Sequence, residues 1–318
     1  MKIFISGSCG YQGSLLVPKL LNLGHKVIAL DTQWFGKNLI NHKNLNIIKK
    51  NILNMDYKDL CGASHIIHLS AIANDPMGDI DKNITWEVSC SGTMRLSEIA
   101  KKNKIKKLIY ASSSSVYGVK KEKKVHEKLN LEPISTYNKA KMITERVLLS
   151  YKKDFNIVII RPATVCGFSP RMRFDLSVNM LTYQGLLNSL ITVHGGSQVR
   201  PNIHIQDLLN CYIFFLNKKV PSGEIFNAGF ENLSILQIAK LIKEKINCKI
   251  KVFKNINDIR SYRVDSSKLL KLGFRPEKKV SDAIDEIAHK IKKENYKIHK
   301  NSFSLDWLKN NKNFMKLV

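Results

Sequence analysis

A short apolar run, Lys2-Ile3-Phe4-Ile5-Ser6, leads directly into Gly7-Ser8-Cys9-Gly10-Tyr11-Gln12-Gly13, and this junction constrains the chain more than any other feature. After the turn, Leu15, Leu16, Leu20 and Leu21 repeat with helical spacing up to Gly24. The order is strand, glycine turn, helix. Gly7 permits the tight turn, Gly10 lets backbone approach a phosphate, and Gly13 lets the helix pack close to the strand. The start of the helix presents unpaired N–H groups and a positive dipole end to an anion. The spacing is G-x-x-G-x-x-G, so its weight comes from this context and not from the pattern alone. Gly7, Gly10, Tyr11, Gln12 and Gly13 are therefore predicted to hold a dinucleotide pyrophosphate.

The next apolar run, Val27 to Leu30, stops at Asp31. A carboxylate there can accept hydrogen bonds from an adenosine ribose and would repel a 2′-phosphate. No arginine follows closely, so NAD is favoured over NADP. Further strands are expected at Ile47-Ile48, Ile66 to Leu69, Leu108 to Ala111 and Ile157 to Ile160. Helices are expected through Met94 to Ala100 and Tyr137 to Leu149. Strands alternating with helices predict an α/β fold, a parallel sheet covered on both faces. Beyond Gly167 the rhythm weakens. Met180 to Leu190 reads as helical, Ile203 to Phe215 as a strand end entering a helix, and Ile225-Phe226 as a strand. Leu236 to Ile246 and Val280 to Ile291 read as helices, and Lys297 to Val318 is left unassigned. The expected division is a dinucleotide domain over residues 1–166, with 200–230 returning to it, and a smaller lobe over 167–318.

Apolar residues make up 44% of the 318, enough for a sizeable core. No run approaches the length of about 20 needed to span a bilayer, and the first residues carry no signal-peptide pattern. A cytoplasmic protein with no membrane insertion is expected. The six cysteines are widely spaced, which argues against disulfides and metal binding. The net charge of +26 raises nucleic-acid binding as one reading. The lysines are spread along the whole chain without aromatic partners, which argues against it.

Tyr137-Asn138-Lys139-Ala140-Lys141 places a phenol and an ammonium four residues apart, on one helix face. A free phenol titrates near pH 10, and a neighbouring cation is expected to lower that value. A phenol so tuned can take the proton of a sugar hydroxyl while hydride leaves its carbon. Upstream, Ala111-Ser112-Ser113-Ser114-Ser115-Val116-Tyr117-Gly118 follows a strand, which puts its hydroxyls at the carboxyl edge of the sheet. A serine there can hydrogen-bond the reacting oxygen and the phenol.

With these motifs in this order, the chain resembles the extended short-chain dehydrogenase/reductase family, in its NAD-dependent nucleotide-sugar epimerase/dehydratase group. The likeness continues through His68-Leu69-Ser70-Ala71, Gly92-Thr93, Arg161-Pro162, Arg200 to Asp207 and Leu272-Gly273-Phe274. It implies a Rossmann-type doubly wound parallel sheet with a smaller C-terminal α/β substrate lobe, and a homodimer. It implies Ser113, Tyr137 and Lys141 as catalytic residues, with Tyr137 and Lys141 also touching the cofactor. Asn51, Ile52, Leu69, Ala71 and Pro162 join the implied cofactor contacts. Asn74, Ser113, Ser114, Asn179, Arg200 and Arg263 are the implied contacts to a nucleotide-diphosphate sugar; no metal is implied.

The chain also departs from the family. Related 4,6-dehydratases carry an Asp-Glu pair where Ser114 and Ser115 stand, so dehydration is disfavoured. Asn51 replaces a usual Asp, and Thr164 stands where Asn is common. Two segments, Arg161 to Leu176 and Arg260 to Val264, resemble a subgroup of 4-epimerases and of 4-dehydrogenases acting on sugars such as GDP-heptose. The leading expectation is an epimerase that oxidises and re-reduces C4; a 4-dehydrogenase or 4-keto reductase is the alternative. A non-catalytic NAD-binding protein would be expected to lack Tyr137 or Lys141.

Overall fold

The first half of the chain alternates as its apolar pattern requires. In a computed structural model, which describes residues 1–253, 261–294, 296–311 and 313, it runs β1 (Lys2–Ser6), α1 (Gly13–Asn22), β2 (Lys26–Asp31), β3 (Leu45–Lys49) and β4 (His65–His68). Two short helices, α2 (Asp75–Gly78) and α3 (Lys82–Trp86), precede α4 (Gly92–Lys102). Then come β5 (Lys107–Ala111), α5 (Thr136–Ser150) and β6 (Asn156–Pro162). The second half holds β7 (Thr164–Cys166), α6 (Ser177–Asn188), β8 (Leu190–His194), β9 (Val199–His204), α7 (Ile205–Asn217), β10 (Glu224–Ala228) and β11 (Glu231–Ser234). It ends with α8 (Ile235–Lys245), β12 (Lys249–Phe253), α9 (Ser267–Lys271), α10 (Val280–Lys292) and α11 (Ser304–Asn310).

Seven strands form one sheet in the order β10-β6-β5-β4-β1-β2-β3, and every pairing is parallel. Both faces are covered, as parallel sheets require. On β1, Ile3 and Ile5 join the core beneath α1 and α7, while Phe4 joins the core beneath α4 on the opposite face. The chain leaves β1 toward β2 on one side and meets β4 on the other. That reversal opens a crevice at the carboxyl ends of the strands. The remaining strands make a three-stranded sheet, β11-β9-β7, and a pair, β12-β8. A further core joins α6, α8 and α10.

Three local outcomes differ from the periodicity reading. The helix expected over Met180 to Leu190 ends at Asn188, because Ser189 turns left-handed (φ 51°) and Leu190 opens β8. Two short strands, β7 and β11, have too few residues to show a period. The unassigned C-terminal stretch contains α11, whose Leu308 is buried in the core on the α4 side of the sheet. Among the described residues no helix is long and apolar enough to cross a membrane.

A charged pair fastens α5 to β6. Arg161 donates from Nε to Glu145 Oε1 at 2.9 Å and from Nη2 to Oε2 at 2.7 Å, with both side chains 3% exposed. Nη1 also donates to the Tyr117 hydroxyl, which in turn donates to Asn227 Oδ1 on β10. Removing one partner of such a pair leaves a buried charge uncompensated. Arg161→Met should therefore destabilise the fold by about 3–5 kcal/mol, and adding Glu145→Leu should restore a large part of the loss. Urea denaturation of the parent and both variants measures this. A single variant as stable as the parent would contradict it.

Candidate functional site

The glycine loop meets the end of β4 with no spare volume. Gly7 has φ +72°, and a methyl group added to it would lie 2.8 Å from the Ser70 nitrogen. A methyl on Gly13 would lie 2.5 Å from the carbonyl oxygens of Gly7 and Ser8. The loop is thus wound as a tight cradle ahead of α1. It opens into a cleft lined by Gly7, Cys9 to Gly13, Asp31, Asn51, Ile52 and Leu69 to Ala73. Asp31, at the carboxyl end of β2, accepts from the Cys9 N–H at 2.9 Å and the Gln33 N–H at 2.7 Å. Burial raises its carboxyl above the usual range, and these bonds partly oppose the rise. The combination of a glycine cradle, a helix N-terminus and a strand-end carboxylate fits an adenine dinucleotide.

The side chains of the loop have tasks of their own. The Tyr11 hydroxyl donates to the Gly167 carbonyl at 2.7 Å, and Gln12 Oε1 accepts from Tyr212 at 2.6 Å. What these two offer a phosphate is backbone. Asn51 caps a 3-10 turn, its Oδ1 accepting from the Leu53 N–H. Ile52 is buried against α4, where Gly92 leaves room for it. Pro162 is buried at the end of β6.

The serine loop and the start of α5 lie at the carboxyl ends of β5 and β6. The Ser113 hydroxyl lies close enough to the Tyr137 phenol to offset part of the effect of burial on it. The Ser113 hydroxyl also contacts Ser115 Oγ at 2.7 Å. Burial pushes the phenol up to about 12. That reverses the sequence-based expectation that Lys141 lowers it. The Lys141 ammonium donates to the Ala111 carbonyl at 2.7 Å. It sits 4.7 Å from the Tyr110 ring centre and 5.9 Å from that of Tyr137. Burial brings it down to about 7, with Glu145 acting in the opposite sense. The cation that acts on the phenol is Arg173, held by Asp175 at 2.7 and 3.0 Å. Behind Lys141, His68 bridges Ser6 Oγ and Thr93 Oγ1 and is kept neutral by burial, at about 3.

The residues expected to touch substrate fall into two groups. Ser114 Oγ lies 3.1 Å from the Tyr262 hydroxyl, and the neighbouring Ser261 Oγ accepts from the Val199 N–H at 3.0 Å. These bonds gather Ser114, Arg200 and Arg263 around one segment; Arg260, in the same motif, lies outside the described residues. Asn74 caps α2 through Met77 and donates to Asp175 at 2.9 Å. Asn179 is fully buried and hydrogen-bonded through both its amide oxygen and its amide nitrogen. Its Oδ1 accepts from the Gly167 N–H, and its Nδ2 donates to the Tyr11 hydroxyl and the Arg173 carbonyl. It ties the glycine loop to the Arg173 segment.

Sequence reasoning missed part of the cleft. Trp34, Phe35, Arg171, Arg173, Ser304 and Leu308 also line it. The two arginines stand in a motif that served only to mark a subgroup. Ser304 and Leu308 come from the stretch without legible periodicity. Among the described residues no cluster of His, Cys, Asp or Glu is placed to hold a metal ion.

Comparison with known proteins gives the arrangement a lineage. An uncharacterised UDP-glucose epimerase of Bacillus subtilis is 34% identical over 263 residues, covering 77% of this chain and 82% of that protein. The UDP-glucose 4-epimerase of Mycolicibacterium smegmatis is 28% identical, covering 72% and 77%. Among solved structures, UDP-glucuronic acid 4-epimerase from Bacillus cereus, in complex with UDP-glucuronic acid and NAD, superposes with a TM-score of 0.83. It is 29% identical and covers 93% of this chain and 100% of that one. Residues 3–229 match the sequence model of the NAD dependent epimerase/dehydratase family, and together with the parallel sheet, the glycine cradle and the Ser113–Tyr137 pair this establishes that the chain belongs to it.

Proposed function

We propose that this enzyme is a nucleotide-diphosphate-sugar 4-epimerase with NAD as its resident cofactor. The observation that carries the reading is the Tyr137 phenol, set at the carboxyl edge of the sheet close to both Ser113 and Arg173, the latter lining the dinucleotide cleft. When bound, NAD supplies the hydride acceptor and later the donor. Gly7 to Gly13 hold its diphosphate, and Asp31 takes the adenosine ribose. Ser113 holds the C4 oxygen of the sugar, and Tyr137 takes its proton on oxidation and returns it on reduction. Lys141 receives the nicotinamide ribose.

Tyr137 is held protonated by burial, so it is prepared as the acid of the reductive half. The oxidative half needs more positive charge beside it than burial leaves in force. Arg173 contributes part of that charge.

The hydroxyls of Ser114 and Ser115 bond Tyr262 and Asn138, so no carboxylate occupies the positions used for elimination in the related dehydratases. Arg200 and Arg263 are the proposed contacts to the sugar nucleotide's diphosphate, since guanidinium forks match such anions. The division into a dinucleotide domain (1–166, with 200–230) and a mainly substrate-binding lobe (167–318) belongs to this proposal. So do a homodimer, the absence of a nucleic-acid partner and a cytoplasmic location.

Incubation with UDP-, GDP-, CDP- and dTDP-sugars, followed by mass and NMR analysis, tests the reading. One substrate is expected to give a C4 epimer of unchanged mass. A product lighter by two hydrogens, or by water, would replace epimerisation with dehydrogenation or dehydration. Tyr137→Phe should cut turnover by at least about 100-fold, the lower range for general acid–base catalysis, with NAD still bound.

Lys141 also generates a stability prediction. Unfolded, its ammonium persists to about pH 10.4, whereas burial in the fold brings it to about 7. Between these values the unfolded chain binds more protons, so this group makes stability rise with pH across that window, and its full cost is present below pH 7. In cofactor-free protein, Lys141→Met should give a Tm at pH 7 at or above that of the parent. The gap should narrow toward pH 10, with activity lost throughout. A lower Tm at pH 7 would mean that the bond to the Ala111 carbonyl outweighs the cost of burial.

A further inference from the structure

Arg171 is a buried cation that forms no ion pair among the described residues, though Asp175 and Asp31 attract it from farther off. It is 5% exposed, and no carboxylate lies within ion-pairing distance of it among the described residues. The nearest negative charges are committed elsewhere: Asp175 to Arg173, and Asp31 to two backbone N–H groups. Burial depresses the guanidinium to about 9. An unpaired buried charge is costly and is retained where something compensates it.

Its surroundings hold it in one place. Phe35 offers its ring face, 3.9 Å from the guanidinium carbon. Nη1 donates to the Met172 carbonyl at 2.8 Å, and Nη2 donates to Ser304 Oγ on α11 at 2.9 Å. Those bonds occupy a minority of the five N–H donors of a guanidinium. Just before it, Ser169 Oγ donates to the Tyr11 carbonyl at 2.7 Å and contacts Ser14 Oγ at 2.9 Å. The Arg171 segment is therefore pinned to the glycine cradle, and Arg171 lines the same cleft.

The C-terminal segment closes the arrangement from outside. Asn301 Nδ2 donates to the Phe35 carbonyl at 2.9 Å, and Trp307 Nε1 donates to the Trp34 carbonyl at 3.3 Å. Leu308 is fully buried beneath them. We infer that Arg171, clamped between Phe35 and Ser304, is the counter-charge to the cofactor's diphosphate, and that α11 is a strap that retains the dinucleotide between the oxidative and reductive halves of the reaction. The inference rests on the cofactor site assigned above and extends it to the end of the chain. The anion fits by charge and place: the cradle supplies dipoles on one side, and Arg171 supplies a full charge from the other.

The test is titration of stripped, full-length protein with ADP-ribose, which carries the diphosphate and lacks the nicotinamide, by calorimetry at low and high salt. Arg171→Met should raise the dissociation constant about tenfold or more, as expected for loss of a charge-assisted pair, and should flatten its salt dependence. Ser304→Ala should shift it in the same direction by less. Without ligand, Arg171→Met should melt no lower than the parent, because it removes an unpaired charge. NAD carried through gel filtration by the parent should be lost from the variant. Equal ADP-ribose affinity in parent and Arg171→Met would overturn this inference alone, leaving the cofactor site intact. So would a variant that melts lower without ligand and binds equally well. A parent that binds no ADP-ribose would remove the cofactor site and this inference together.

Discussion

The backbone of Gly7 rests against the backbone of Ser70 with no room for a methyl group, and the rest of the site depends on that approach. Because the chain turns so tightly after β1, α1 starts directly beneath the crevice and points its N-terminus into it. The Cys9 N–H then reaches Asp31 at the end of the neighbouring strand, and the Tyr11 carbonyl reaches Ser169 from the second half of the chain. One close contact between two loops thus fixes the cradle, the strand-end carboxylate and the arginine segment relative to one another.

Charge inside this molecule is sorted by whether the fold supplies its partner. Arg161 and Glu145 satisfy each other, and Arg173 is answered by Asp175. These pairs are structural, and the second also bears on the Tyr137 phenol. Lys141 and Arg171 are buried against neutral groups, a carbonyl and a ring in each case, and the carboxylates that act on them are bonded to other partners. Both flank the proposed cofactor site. In that reading their energetic cost is a property of the free protein, and a bound dianion with its ribose removes much of it. The same logic separates Tyr137 from an ordinary surface tyrosine. Its phenol is crowded by protein atoms and lies beside Ser113, so its proton is held until charge arrives beside it.

The N-terminal half was legible because its signals are local. Period-2 and period-3.6 patterns alternate, the glycines sit at a strand–helix junction, and Asp31 ends a strand, all within about thirty residues. The serine loop and the Tyr137/Lys141 pair were legible for the same reason. Each is a short stretch whose chemistry is carried by residue type and spacing. The small second-half strands were not legible, since β7 and β11 owe their existence to pairing with β9 and not to any period of their own. The tuning of Tyr137 was misjudged because helical spacing places Lys141 on the same face but does not say what its ammonium bonds; the carbonyl of Ala111 takes it.

The sequence alone determined the fold class, the glycine turn, the strand-end acid and the four-residue spacing of Tyr137 and Lys141, because each is written in neighbouring residues. The tertiary structure alone decided which cations among the described residues lack an ion pair, what Asn179 and Gln12 do with their amides, and that α11 lines the cleft with Ser304 and Leu308. Ser304 and Arg171 are 133 residues apart in sequence. A hydrogen bond across such a separation leaves no trace in local spacing, and only the packing of the whole chain brings the two side chains together.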